Sequence, residues 1–193
     1  MTLPVNTVLL VIDMQKGFDD PSWGHRSNSG MEANVASLLE FWRASERLVF
    51  HVKHMSTSLS SPLRPDQPGN DFKIESRPMP GEVIFEKRTN SAFIGTTLEA
   101  NLRERGCANV VIAGLTTNHC VSTTARMAGN LDFRTWVISD ATATFDRTGP
   151  DGITYSAEQI HAIALADLHG EFATVSDTKT IIKAAQIVQR RAR

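Results

Sequence analysis

Six short apolar runs, separated by polar or helical stretches, limit what this chain can fold into more than any other feature. They are "VLLVI" (8–12), "LVFHV" (48–52), "EVIFE" (82–86), "NVVIAG" (109–114), "TWVIS" (135–139) and "FATVS" (172–176). The runs are short, rich in β-branched residues and do not alternate with polar residues. Such segments suit strands buried on both faces, as in a parallel sheet. Helical patterns lie between several of them. Val35, Leu38, Leu39 and Trp42 recur at i, i+3, i+4 and i+7, which places them on one helix face. Thr96 and Glu99 make the T-x-x-E pattern of a capping box before Leu98 and Leu102, with Gly106 at the expected helix end. Ser156 and Gln159 repeat the pattern before Ile160, Ile163, Ala164 and Leu168, and a last helix is expected over about 177–189. Strands alternating with helices form βαβ crossovers, so the expected fold is a three-layer α/β/α structure around a parallel sheet of about six strands.

Composition narrows the partners. The chain has 193 residues, 41% hydrophobic and 21% charged, enough for one domain with a substantial core. No repeat or linker divides it, so residues 1–193 are expected to form a single domain. Twenty basic residues against 21 acidic ones leave no surplus that would favour nucleic acid or an anionic membrane. No apolar run nears the ~20 residues that span a bilayer. The start, "MTLPVNTVLLVIDMQ", lacks the basic region and cleavage site of a signal peptide. With only two cysteines and no secretory signature, reduced thiols and a cytoplasmic location are expected. The tail "QRRAR" reads as a solvated helix end. The first strand runs into "DMQKGF" and not into a glycine-rich phosphate loop, which argues against a dinucleotide-binding or flavodoxin-like protein.

Two stretches look irregular: 54–81, with Pro62, Pro65, Pro68, Pro78 and Pro80, and 140–155, with "DRTGPDG". Long loops in compact domains are usually functional or disordered. In open α/β sheets ligands bind beyond the carboxyl ends of the strands, so both stretches are expected to wall a pocket there.

The strand ends carry the chemistry. The first ends in Asp13, the third in Lys87, and the fourth runs into "GLTTNHCV", with Cys120 where a helix begins. Taken singly, each has an ordinary role: a turn former, a solvated amine, an inert buried thiol. The fold brings all three to one edge. A thiolate is the nucleophilic form of cysteine. A helix start and the Lys87 ammonium are expected to favour it, and Asp13 to take the thiol proton and return it to a leaving amine. Backbone N–H groups in such a turn suit an oxyanion hole.

The ordered motifs "VLLVIDMQKGF", "FEKRTNSAF", "VVIAGLTTNHCVSTTARMA" and "HGEFATV" resemble the isochorismatase-like cysteine hydrolase superfamily across nearly the whole chain. The resemblance implies Asp13, Lys87 and Cys120 as a catalytic triad. It also implies a non-proline cis peptide between Leu115 and Thr116, and an oxyanion hole from the N–H groups of Thr116 and Cys120. Members that cleave the vinyl ether of isochorismate lack the cysteine, so its presence favours hydrolysis of a C–N bond in an amide, ureide or carbamoyl compound. The alternatives are an isochorismatase-type hydrolase of a non-amide substrate and a non-catalytic binding protein on the same fold. Family members commonly assemble as homodimers or homotetramers.

Nicotinamidases of this superfamily hold a metal with a D-x-H pattern that "FHVKHMSTSLSS" lacks. His51 and His54 are expected on opposite faces of a strand, so no metal and no cofactor is expected. Phe18, Trp23, His54, Phe93 and Asn118 are the candidate substrate contacts, with core packing the alternative for Phe18 and Phe93 and a subunit contact for Trp23. His119 is expected to point away, and Cys107 to serve packing.

Overall fold

The computed structural model describes residues 2–191, with side chains described as far as Ile187. The exposure expected of the basic tail therefore lies outside the described side chains. In chain order the elements are β1 (Thr7–Ile12), α1 (Met31–Ala44), β2 (Val49–His54), β3 (Val83–Lys87), α2 (Leu98–Glu104) and β4 (Asn109–Leu115). They continue as α3 (Ser122–Asn130), β5 (Arg134–Ala143), β6 (Arg147–Thr148), β7 (Thr154–Tyr155), α4 (Ala157–Leu168), β8 (Thr174–Ser176) and α5 (Thr178–Arg191).

All six apolar runs are strands of one sheet in the order β3-β2-β1-β4-β5-β8, and every neighbouring pair is parallel. β1 is buried along its whole length. Its non-alternating sequence follows from this: Leu9 and Val11 pack with Trp42 of α1 and Ile181 of α5, whereas Val8, Leu10 and Ile12 pack with Leu98, Ala125 and Leu168 of α2, α3 and α4. Both faces are dry, so both sets must be apolar.

The chain lays β1, β2 and β3 in one direction and then returns to place β4 on the other side of β1. Helices that diverge at such a switch leave a crevice above the strand ends. Beneath it β1 and β4 are held very close. Gly114 pairs with Ile12 at φ +117°, and a Cβ there would lie 2.0 Å from the Ile12 carbonyl oxygen. Only glycine fits that position.

Two expectations need correction. Thr96 and Glu99 form no capping box. Thr97 caps α2 without a side-chain bond, Thr96 donates to the Ala92 carbonyl at 2.5 Å, and Glu99 pairs with Arg103 at 2.8 Å. The box at Ser156 and Gln159 does form. Residues 140–155 are not irregular throughout: β5 continues to Ala143, and β6 and β7 form a small antiparallel hairpin. The polar run "SDATA" hides a strand because Asn28 satisfies the Ser139 and Thr142 carbonyls, at 3.2 and 2.7 Å. Stretch 54–81 lacks long elements but contains two short 3-10 turns, Pro68–Asn70 and Ile74–Ser76.

Candidate active site

Asp13 follows β1 directly, with φ +49°, a left-handed conformation that aspartate tolerates better than most residues. The turn is pinned by the Asp13 N–H donating to the Val52 carbonyl (2.9 Å) and the Gln15 N–H donating to the Asp13 carbonyl (2.8 Å). Lys87 closes β3 and lies in register with His54, which closes β2. Cys120 sits in a single π-type turn, Thr117–Val121, between β4 and α3. The peptide from Leu115 to Thr116 is cis.

These strand ends converge. The Lys87 Nζ donates to Asp13 Oδ2 at 2.6 Å, to His54 Nδ1 at 3.1 Å and to Cys120 Sγ at 3.2 Å. An ammonium has three N–H donors and no acceptor, and here each donor has one partner. Burial alone would lower the Lys87 pKa, but the charges of Asp13 and Cys120 override it and raise the value. Asp13 and Lys87 are thus a buried ion pair with fully covered side chains.

The cysteine departs from expectation. Burial pushes its thiol up, the Asp13 charge pushes it further, and Lys87 does not compensate, leaving it at about 12. This direction favours the protonated thiol at rest. Lys87 donates to the sulfur at 3.2 Å and pulls the other way, but burial and the Asp13 charge outweigh it, which opposes a pre-formed thiolate. The other carboxylate oxygen, Asp13 Oδ1, is buried and has no hydrogen-bond partner among the described residues. It is a vacant acceptor in the thiol's own pocket.

Among the described residues, one group of His, Cys and acidic side chains has metal-like spacing: Asp13, His54 and Cys120, whose ligand atoms lie within 4.8 Å of one another. The Lys87 ammonium already contacts all three, so a metal ion would have to displace it. His51 points away to the other face, where its Nε2 lies 2.8 Å from Glu82 and its ring meets Phe72 edge-on.

Asp13, His54, Asn90, Thr116, His119 and Cys120 line a cavity of about 110 Å³, closed on its apolar side by Phe18, Trp23 and Leu63. Phe18, Trp23 and Phe145 form one aromatic cluster, with centroids 5.2 to 6.2 Å apart. The Trp23 indole N–H is bound to the Gly17 carbonyl at 2.9 Å, so Trp23 offers the cavity only its ring. A larger groove of about 510 Å³ between residues 16–22 and 59–69 has no thiol and no histidine in its lining.

Two expected contacts lie elsewhere. Phe93 packs into the core against Phe133, 5.8 Å between centroids. Asn118 accepts from the Thr144 hydroxyl at 2.5 Å and borders a separate groove with Ser122, Arg126 and Ile163. His119, expected to point away, lines the cavity instead. A π-type turn carries an extra residue, so directions inferred from an ordinary helix start fail across it. Asn90, Leu63 and Phe145 were missed. Asn90 lies inside the quoted "FEKRTNSAF", and its amide oxygen is 3.9 Å from Cys120 Sγ.

The proline-rich stretch is tied to this site by buried amides. Gln15 donates to the carbonyls of His54 (3.1 Å) and Asn70 (3.0 Å) and accepts the His54 N–H at 2.8 Å. Asn70 in turn donates to the carbonyls of His54 (3.0 Å) and Leu63 (2.7 Å). This clasp holds Leu63 in the cavity wall.

A parallel sheet that gathers a buried carboxylate, amine and thiol at its switch point defines an α/β protein of the cysteine hydrolase type. The chain belongs to the isochorismatase family, whose domain model ("Isochorismatase domain") matches residues 7–180. It is 47% identical over 174 residues to the isochorismatase family protein YrdC of Bacillus subtilis, covering 90% of this chain and 93% of that one. A crystal structure of an isochorismatase-family hydrolase from Chromobacterium violaceum superposes with a TM-score of 0.93 at 44% identity, covering 95% of this chain and 96% of the other. The ureidoacrylate amidohydrolase RutB of Agrobacterium fabrum is 27% identical over 94% of this chain and 92% of its own length.

Proposed function

We propose that this chain hydrolyses a C–N bond of a small amide, ureide or carbamoyl compound through a thioester on Cys120. The observation that carries the reading is the Lys87 ammonium bound at once to Asp13 and Cys120 inside a cavity. In the resting site the thiol keeps its proton and Asp13 Oδ1 is vacant. When a carbonyl carbon arrives, the Sγ proton passes to Asp13 as the C–S bond forms, and Lys87 stabilises the sulfur as it gains charge. The substrate oxygen becomes an oxyanion held by the N–H groups of Thr116 and Cys120. Asp13 then returns the proton to the departing nitrogen, and the C–N bond breaks. Water, deprotonated by the same carboxylate, cleaves the thioester and restores the thiol.

The high thiol pKa fits this order. Attack is coupled to proton transfer, so an idle site presents no reactive thiolate to other electrophiles. The ureidoacrylate amidohydrolase relative supports C–N chemistry over vinyl-ether cleavage. A reducing, cytoplasmic setting suits the free thiol. The test is ammonia release across a panel of amides and ureides, with intact mass spectrometry to trap the acyl enzyme. An acyl adduct mapped to Cys120 is expected. Turnover by a Cys120→Ala variant at the wild-type rate would overturn the reading.

A further inference from the structure

The lining of the cavity contains one carboxylate, one thiol, two histidines, an amide, a hydroxyl and no arginine or lysine. Lys87 reaches it from beneath, but its three donors are taken by Asp13, His54 and Cys120. Asp13 and Lys87 cancel. His54 faces that ammonium with Nδ1, so Nδ1 accepts and the ring proton must sit on Nε2. Burial, reinforced by Lys87, lowers the His54 pKa against the opposing pull of Asp13, which keeps the ring neutral. His119 is also lowered, by burial and then by Arg147, and its Nε2 lies 3.4 Å from the Asn118 amide nitrogen. Arg147 itself is exposed on the β6–β7 hairpin and is not part of the lining. Apart from Asp13, whose charge Lys87 balances, every polar group the cavity can offer an occupant is therefore neutral, and His54 Nε2–H has no protein partner among the described residues.

We infer that the cavity admits only an uncharged, compact head, with its scissile carbonyl beside Cys120 and an acceptor atom on His54 Nε2–H, and that it rejects a carboxylate next to the scissile group. The inference deepens the hydrolase reading by naming the substrate class. A buried carboxylate is stable only when paired, and no free cation lies within the lining to pair it. The volume agrees: about 110 Å³ is well under the ~300–1,000 Å³ that houses drug-sized ligands. An acidic ureide of the kind the amidohydrolase relative is named for would leave its carboxylate there without a counter-charge.

Iodoacetamide and iodoacetate test this directly, since they match in size and differ in charge. Both are reacted with the full chain at pH 9, Cys120 is followed by peptide mass mapping, and glutathione gives the intrinsic ratio of the two reagents. The iodoacetamide-to-iodoacetate rate ratio at Cys120 is expected to exceed that of glutathione by about 100-fold, the scale of an unpaired buried charge. A Leu63→Arg variant, which brings a cation to the wall, is expected to pull the ratio back toward glutathione by about tenfold or more. A wild-type ratio equal to that of glutathione, or one favouring iodoacetate, overturns the inference. Alkylation needs no turnover, so failure here is distinct from failure of the hydrolase reading, which would appear as the absence of any acyl adduct.

Discussion

β4 has a cysteine at each end. Cys107 lies two residues before its first residue and Cys120 in the π-type turn five residues beyond its last, and both thiols are buried in the same hydrophobic cluster. Burial pushes both above the ordinary thiol range. Their neighbours differ. The Cys107 thiol hydrogen-bonds the Arg105 carbonyl at 3.5 Å amid apolar packing, whereas Cys120 shares a cavity with a vacant carboxylate oxygen and a bound ammonium. Burial and a raised pKa therefore do not distinguish a nucleophile from a packing residue. What distinguishes it is a nearby base that can take the proton at the moment of attack.

The sharpest way to break the comparison is to remove each thiol in turn. Cys120→Ala is expected to lose turnover by roughly 10⁴-fold or more in an ammonia-release assay, and Cys107→Ala to lose none. Asp13→Asn should separate two properties that usually move together. Turnover falls by about 10³-fold with the base gone, while Cys120 alkylates faster, because the negative charge that helped to raise its pKa has left and Lys87 is free to pair with the thiolate. A variant that loses both activity and alkylation would contradict that account. In the wild type, a thiol at about 12 should alkylate at pH 8 roughly a thousandfold more slowly than a free thiol of ordinary pKa. Fast labelling at neutral pH would mean that a thiolate–Lys87 pair exists at rest. The smallest effect belongs to Cys107→Ala in thermal unfolding, a loss of about 1–2 kcal/mol from the vacated packing volume.

The sheet was legible because dry strands must be apolar on both faces, and that demand leaves runs no helix of the same length would need. The meeting of Asp13, Lys87 and Cys120 was legible because strand ends at a switch point converge whatever the loops do. The rest depended on side-chain direction. Phe93 sits three residues past Asn90, yet one packs on Phe133 and the other faces the thiol. Asn118 and His119 exchanged their expected roles across the π-type turn. Thr96 and Ser156 head the same four-residue signature, but only Ser156 forms the reciprocal bonds. Composition carries no trace of these choices. They are set by which carbonyl or hydroxyl lies within reach once the chain is packed.

The amide clasp of Gln15 and Asn70 has a consequence for how a chain like this can change over generations. It ties the wall residue Leu63 to the end of β1 through backbone carbonyls, so the ties do not depend on which side chains occupy the tip between them. Leu59, at that tip, is 84% exposed. Insertions and replacements near residue 59 can reshape the approach to the cavity while Leu63 and the reacting groups stay in place. New specificities can then be sampled without putting the chemistry at risk, and a grafted tip of foreign sequence should be accepted where a grafted clasp would not.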